Sequence, residues 1–496
     1  MRIETDVKSI MEEYRKCTNY NLLQDYYNKT QQHENFYIGK QWEGVYAPDL
    51  DKPVLNFIRR VCSFLTAMVA GEEINVFITP YSNTENNVRT ADIMNMQLEK
   101  IVESCKLKTT AYNVVMDAAV TGDGYLHWYY NGDSVSCEIL RSTNILFANP
   151  YISDIQKQPF ILIEKREYLE DVKEQAKKNR CEIKNFKADE NWLGSIETIP
   201  MVTVITKLYK KDGRVWYTQV IKGGVVTPPV CLGYSLYPVA TFRWDAQKDS
   251  YHGVGVVENL IPNQIAVNKL WAMALLHQKT MAFPKIFFDK TKLDRWTNKV
   301  GAAIGVIGNP NDAVATSFRA SDMSQQLMDL VEKTIAYTKE FMGANDTSLG
   351  NVNPENTSAI LAVQRSATIP LENQKQYFAQ FLEDCVLIVM DIIRAEYGAR
   401  YIEFSGDKGA SELIEFDFAQ VDSSQMSWVV QSDNSTPWSE GLQMQTLENL
   451  YTKQILTDAY DYVQAIPATQ LKNKQRILKK LEQAKNRPLN TEQTTA

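Results

Sequence analysis

Residues 322–396 restrict what this chain can fold into more than any other stretch. From Asp322 to Met342, apolar side chains stand at Met323, Leu327, Leu330, Val331, Ile335, Phe341 and Met342. Steps of three and four put them on one stripe of an α-helix. Asp329, Glu332, Lys333, Lys339 and Glu340 keep its other side wet. Gly343 to Asn356 then bring two glycines, four asparagines and a proline, which cannot extend a helix. A second helix opens at Thr357 or Ser358. It runs through Ile360, Val363, Ala367, Leu371, Phe378, Phe381, Leu382, Cys385, Val386, Val389, Ile392 and Ile393. Pro370 inside it removes one backbone hydrogen bond and crowds the preceding turn, which predicts a kink. The plain reading of the loop is a helix–helix connection, but structureless loops of this length are often functional.

Around this centre, helices alternate with antiparallel strands. Residues 5–32 read as one polar amphipathic helix (Ile10, Tyr14, Cys17), and Pro53–Met68 as another with Phe57, Ile58, Val61 and Leu65 on one face. Asn75–Pro80 is extended, and helices follow at Thr84–Cys105 and Lys108–Val120. Tyr125–Tyr130 and Ser134–Leu140 flank Asn131-Gly132, a strong hairpin signal. Phe160–Glu167 and Val202–Tyr209 bracket a charged helix at 168–179. Asp212-Gly213 turns the chain into Arg214–Ile221, and Leu236–Trp244 is a further strand. After Gly253-Val254-Gly255 a helix runs to about Lys279 with Pro262 near its start. The insert 281–320 offers strand candidates at Pro284–Phe288 and Ala302–Ile307. Arg400–Phe404, Glu412–Phe418 and Trp428–Val430 are strands expected to return to the β body. Thr436-Pro437 then caps helices at about 438–463 and 468–486. The fold class is α+β.

Apolar residues make up 44% of the 496 and charged residues 23%, a globular composition large enough for two to four domains. The net charge of −7 argues against a tight grip on nucleic acid. Seven cysteines at long spacings, with no Cys-x-x-Cys pair, indicate neither a disulfide framework nor a zinc site and suggest a reducing compartment. Met1–Asp6 lacks an apolar signal region. The longest apolar run, Leu270–Leu276, is far short of the roughly 20 residues of a membrane span. The expectation is a soluble intracellular protein with no membrane partner.

The sequence has no phosphate loop, nucleophile elbow or His-Glu-x-x-His. His33, His127, His252 and His277 are isolated and read as structural. Gly253-Val254-Gly255-Val256-Val257-Glu258 ends in Glu where a dinucleotide fingerprint wants Gly, so it reads as a helix-start turn. Neighbouring carboxylates (Glu12-Glu13, Glu383-Asp384) read as solvated helix faces. No catalytic residue, metal or cofactor is assigned. One electropositive feature stands out. Lys472, Lys474, Arg476, Lys479, Lys480, Lys485 and Arg487 face a single acid, Glu482; they read as a solvated helix face or as phosphate contacts.

This order of elements resembles the portal protein of tailed bacteriophages across nearly the whole chain. Three places carry the resemblance. Gly253-Val254-Gly255-Val256-Val257-Glu258-Asn259-Leu260, with Pro262-Asn263-Gln264 and Asn268, looks like the family's glycine-led start of a stem helix. The insert 281–320 sits where the family carries its clip. Gly343-Ala344-Asn345 through Asn356-Thr357-Ser358-Ala359-Ile360 is similar to its tunnel loop and the start of a long kinked helix. Asp117–Asp123 before the hairpin also looks like a portal wing.

The resemblance implies a portal-like α+β chain. Its parts would be a wing (1–250), a stem helix (251–280), a clip (281–320), a second stem helix (321–343) and a tunnel loop (344–357). The long kinked helix and the wing's return strands (358–433) and a helical crown with a polar tail (434–496) would complete it. It further implies a ring of twelve copies at one capsid vertex, assembled in the host cytoplasm and carried in the virion, through which double-stranded DNA is packaged and ejected without sequence preference. Implied partners are the large terminase, a head-completion or adaptor protein, and the major capsid and scaffolding proteins. Asn345, Asp346, Thr347, Ser348, Asn351, Asn353 and Asn356 would line the channel, and Lys472, Lys474, Arg476, Lys479 and Lys480 would form a basic crown. The loop is poor in basic residues, a departure from a strong DNA grip. Other readings are a different oligomeric phage head or adaptor scaffold, and a metal-dependent nucleic-acid enzyme.

Overall fold

The computed structural model describes residues 4–71, 73–81, 84–189, 199–248, 250–282, 285–293, 295, 297, 304–309, 311–312, 315–318, 325–343, 369–405, 411–421, 426–433, 447–453, 462–463 and 466. Helices and antiparallel sheets mix throughout, an α+β fold.

The amino-terminal stretch forms two helices, α1 (Val7–Leu23) and α2 (Tyr26–Ile38), where one was expected. Asp25 lies in the left-handed region at φ 54°, which ends one helix and redirects the next. α3 (Phe57–Ala70) starts later than Pro53 because Asn56 caps it, its side chain accepting the Arg59 N–H at 3.2 Å. α4 (Glu85–Ser104) and α5 (Leu107–Thr121) match the periodicity. α4 also holds β1 (Glu73–Pro80), since Asn95 accepts from the Ile78 N–H at 2.8 Å and donates to its carbonyl at 3.0 Å.

Two sheets carry the body. β2 (Asp123–Tyr130) pairs with β3 (Val135–Leu140) on one side and β9 (Val239–Arg243) on the other. β4 (Ile145–Phe147), β5 (Phe160–Tyr168), β6 (Met201–Lys211), β7 (Arg214–Ile221) and β8 (Gly224–Cys231) form the second sheet in that order. Alternation sets its faces. Phe160, Leu162, Ile205 and Tyr209 pack with Ile10 of α1, while Ile161, Ile163 and Leu208 join the main core. Buried Lys207 bonds Glu13 at 2.5 Å and the Glu4 carbonyl at 2.8 Å, fastening α1 to the sheet. α6 (Leu169–Lys178) closes a third small core with Val202, Val204, Ile221 and Val226.

The centre of the molecule is α9 (Glu372–Glu396). Phe378, Phe381, Leu382, Cys385, Val386, Val389, Ile392 and Ile393 are all buried, and the Phe242 ring of β9 meets Phe378 and Phe381 edge-on at 6.2 and 6.3 Å. Asp391 binds this helix to the chain before β9 by accepting from Ser235 N–H, Ser235 hydroxyl and Leu236 N–H at 2.6–2.9 Å. Pro370 does not kink a continuous described helix. It lies in a 3-10 turn, Ile369–Leu371, just before α9, where its missing N–H costs nothing; residues 358–368 lie outside the described ones.

The later strands do not rejoin the two main sheets. β14 (Ala399–Ser405) pairs with β15 (Ser411–Asp417), and β16 (Met426–Asp433) pairs with β1 from Glu73↔Asp433 to Pro80↔Met426. Beyond them, helical residues 447–452 and 462–463 fall within the expected 438–463 helix.

Candidate functional site

The site begins where the chain leaves the body. Gly122 ends α5 at φ 105°, and a Cβ there would lie 2.3 Å from the Gly253 carbonyl oxygen. Two backbones meet here, and only glycine permits it. The adjacent Asp123 is buried and gathers the junction around its carboxylate. Its Oδ1 accepts from Gly253 N–H at 2.7 Å, and its Oδ2 accepts from Tyr26 hydroxyl at 3.0 Å and meets His252 Nδ1 at 2.6 Å. Tyr26 stacks on the His252 ring at 3.7 Å. Asn21 Oδ1 accepts from Tyr251 hydroxyl at 3.0 Å and lies 3.4 Å from His252 Nε2. Burial and the Asp123 charge push the Tyr26 phenol well above its ordinary range. The cluster thus stays neutral at the tyrosine and fixes the direction in which the next helix departs.

That helix, α7 (Val256–Ala282), follows β10 (Asp245–Ala246) and β11 (Gly253–Val254), a two-residue ladder. Pro262 falls in its second turn, so the Glu258 carbonyl has no N–H to receive there. A chain of amides then secures α7 to the segment before α3. Gln264 donates to the Leu55 carbonyl at 2.9 Å and to Asn268 Oδ1 at 3.0 Å, Asn268 donates to Gln41 Oε1 at 2.6 Å, and Gln41 donates to the Phe36 carbonyl at 3.0 Å. Lys279 reaches Asp51 near the far end.

α8 (Gln325–Phe341) returns beside α7, joined by Asn263 donating to Thr338 Oγ1 at 3.0 Å. Between them β12 (Lys285–Phe288) pairs with β13 (Ala315–Phe318). Of the expected strand at Ala302–Ile307, residues 304–307 are outside any strand and Ile307 N–H bonds the Lys292 carbonyl at 3.0 Å, while 302 and 303 lie outside the described residues. The apolar stripe on α8 divides. Val331 is buried and Leu327 and Ile335 half-buried, whereas Leu330 (51% exposed), Tyr337 (55%) and Phe341 (86%) form a second stripe facing outward. Met273 and Leu276 of α7 are also exposed.

Of the residues expected to touch DNA, Asn345, Asp346, Thr347, Ser348, Asn351, Asn353 and Asn356 lie outside the described residues, as do Lys472, Lys474, Arg476, Lys479 and Lys480. The described chain reaches Gly343, at φ 71° after α8, on one side of that loop and Ile369 on the other. Among the described residues no group of three or more His, Cys, Asp or Glu side chains is placed to hold a metal ion, and no helix is long and apolar enough to cross a membrane.

A family model described as phage P22-like portal protein matches residues 161–493, from β5 through the helix pair to the carboxyl-terminal tail. The chain belongs to the phage P22-like portal protein family. No curated protein matches it. In this portal protein, the glycine-led start of α7 was legible from residues 253–268, but the polar groups that hold it were not. In the sequence Asp123 is only the end of the Asp117–Asp123 segment before a hairpin, and His252 is an isolated histidine. Their partners Tyr26 and Asn21 are about a hundred or more residues away in sequence, and nothing local signals the pairing.

Proposed function

We propose that this portal protein is one subunit of a ring of twelve at a single capsid vertex of the virion, forming the channel through which double-stranded DNA enters and leaves. The observation that carries this reading is the outward apolar stripe Leu330, Tyr337 and Phe341 on the paired helices α7 and α8 of a portal-family chain. A ring gives each stripe a neighbour to pack against. Side chains 345–356 then line the narrowest point, where asparagine, serine and threonine exchange hydrogen bonds with passing phosphates and read no sequence. Lys472, Lys474, Arg476, Lys479 and Lys480 face packaged DNA. Twelve acidic subunits weaken phosphate attraction, so the duplex slides. The insert 281–320 docks the large terminase and the head-completion or adaptor protein, while the wing meets major capsid and scaffolding proteins. The chain itself performs no catalysis, uses no cofactor, and assembles in the host cytoplasm.

Electron microscopy and native mass measurement of the purified protein test this directly. The expected result is rings with a central hole near twelve copies; a monomer at high concentration, or particles without a hole, refutes it. Deleting 346–355 should leave rings intact and impair packaging. Loss of the rings themselves would refute the loop's placement.

A further inference from the structure

Cys105 and Cys137 are remote in sequence and adjacent in the fold. Cys105 closes α4, its N–H donating to the Ile101 carbonyl at 2.9 Å, and its thiol donates to the carbonyl of Val135 at 3.6 Å, where β3 opens. Cys137 stands two residues along that strand, beside the Cys105 sulfur. Both side chains are half-buried at the rim of the main core. The remaining thiols lack this arrangement. Cys62 and Cys385 are fully buried, and Cys17 donates to the Phe147 carbonyl at 3.5 Å.

We propose that Cys105 and Cys137 are a redox modification site that closes to a disulfide on meeting a small-molecule disulfide such as oxidised glutathione. Hydrogen bonds from Cys137 bring the Cys105 thiol down to about 7, outweighing burial, so Cys105 is the attacking sulfur. Its thiolate displaces one glutathione thiolate and forms a mixed disulfide. Cys137 then loses its proton to solvent or to the released thiolate and attacks Cys105 sulfur, expelling the second glutathione. Two protein thiols are oxidised and one glutathione disulfide is reduced to two thiols. Closure ties the end of α4 to β3, and with it the β1–β16 ladder that α4 supports through Asn95. Under the proposed virion location the pair stays reduced during assembly and meets an oxidant after release.

The test treats the full chain with oxidised glutathione, quenches it with acid and maps tryptic peptides by mass. Cleavage after Lys100, Lys106, Lys108 and Arg141 separates the two cysteines, so closure appears as residues 101–106 joined to 109–141 and parted again by reductant. Cys137→Ser should retain one glutathione on Cys105, and Cys105→Ser should leave Cys137 unmodified over the same time. A lasting glutathione adduct on wild-type Cys105 without the joined peptides, or cross-links confined to other cysteines, overturns the proposal. The wild-type measurement requires no variant to fold.

Discussion

Asp123 shows how much of a junction can hang on one carboxylate. It satisfies a backbone N–H, a phenol and an imidazole from two distant parts of the chain, Tyr26 and His252-Gly253, around a buried carboxylate. Asp123→Ala leaves those donors unpaired, and each buried donor without a partner costs about 1–3 kcal/mol. Urea denaturation followed by tryptophan fluorescence should show that loss, and a change under about 1 kcal/mol would contradict the role given to this carboxylate. Glu138 carries a different signal, one that depends on pH. Burial alone raises its carboxyl, but hydrogen bonds from His127 at 2.8 Å and from Lys165 outweigh burial and hold it at about 2, against 4.5 for an ordinary glutamate. A depressed carboxyl stabilises the fold while it is ionised. That contribution is therefore full above about pH 4.5 and disappears as pH falls through about 2. The side chain is 32% exposed, so solvent screening reduces the effect to on the order of 1–2 kcal/mol. Glu138→Gln should flatten the acid limb of a stability-versus-pH curve by that amount; an unchanged limb counts against it.

At the scale of elements, the long periodic helices were the legible part. α4, α5 and α9 declare themselves by steps of three and four, and the Asp212-Gly213 turn by two residues that take positive φ, 54° and 75°. Strand β8 did not show, because Pro228 and Pro229 argue against a strand. The fold places it at a sheet edge, and its register against β7 shifts where the two prolines stand. The break at Asp25 was hidden because polar helix formers run straight through it, and β4 is only three residues long. The outward turn of Leu330 and Phe341 was invisible for a related reason. Periodicity reports that a helix has an apolar side but not how many partners that side has. The attachment of β1 to α4 is likewise beyond local pattern, and it can be measured. Asn95→Ala removes both side-chain bonds to Ile78, each worth about 1 kcal/mol net, so the Ile78 amide should exchange with deuterium roughly thirtyfold faster while α9 amides keep their protection. Equal protection at Ile78 would mean that α4 holds the strand by packing alone.

The whole molecule has a different balance, because part of its apolar surface has no counterpart among the described residues. Leu330, Tyr337 and Phe341 lie along one side of α8, and contiguous exposed apolar side chains mark a surface that another molecule covers. Burying each contributes about 1.5–3 kcal/mol, so three at every subunit contact amount to a large share of the association energy. Their exposure in the single chain also means that replacing them removes little from its own core. The variant Leu330→Gln, Tyr337→Gln, Phe341→Gln should therefore melt at nearly the wild-type temperature of the unassembled chain, yet fail to form the proposed rings. A loss of about 4 kcal/mol at each contact weakens association by roughly a thousandfold. Sedimentation velocity across a concentration series reads this out, with circular dichroism as the check on folding. Unchanged assembly would place the subunit contact away from α8. A collapsed melting transition would instead show that the stripe packs within its own chain.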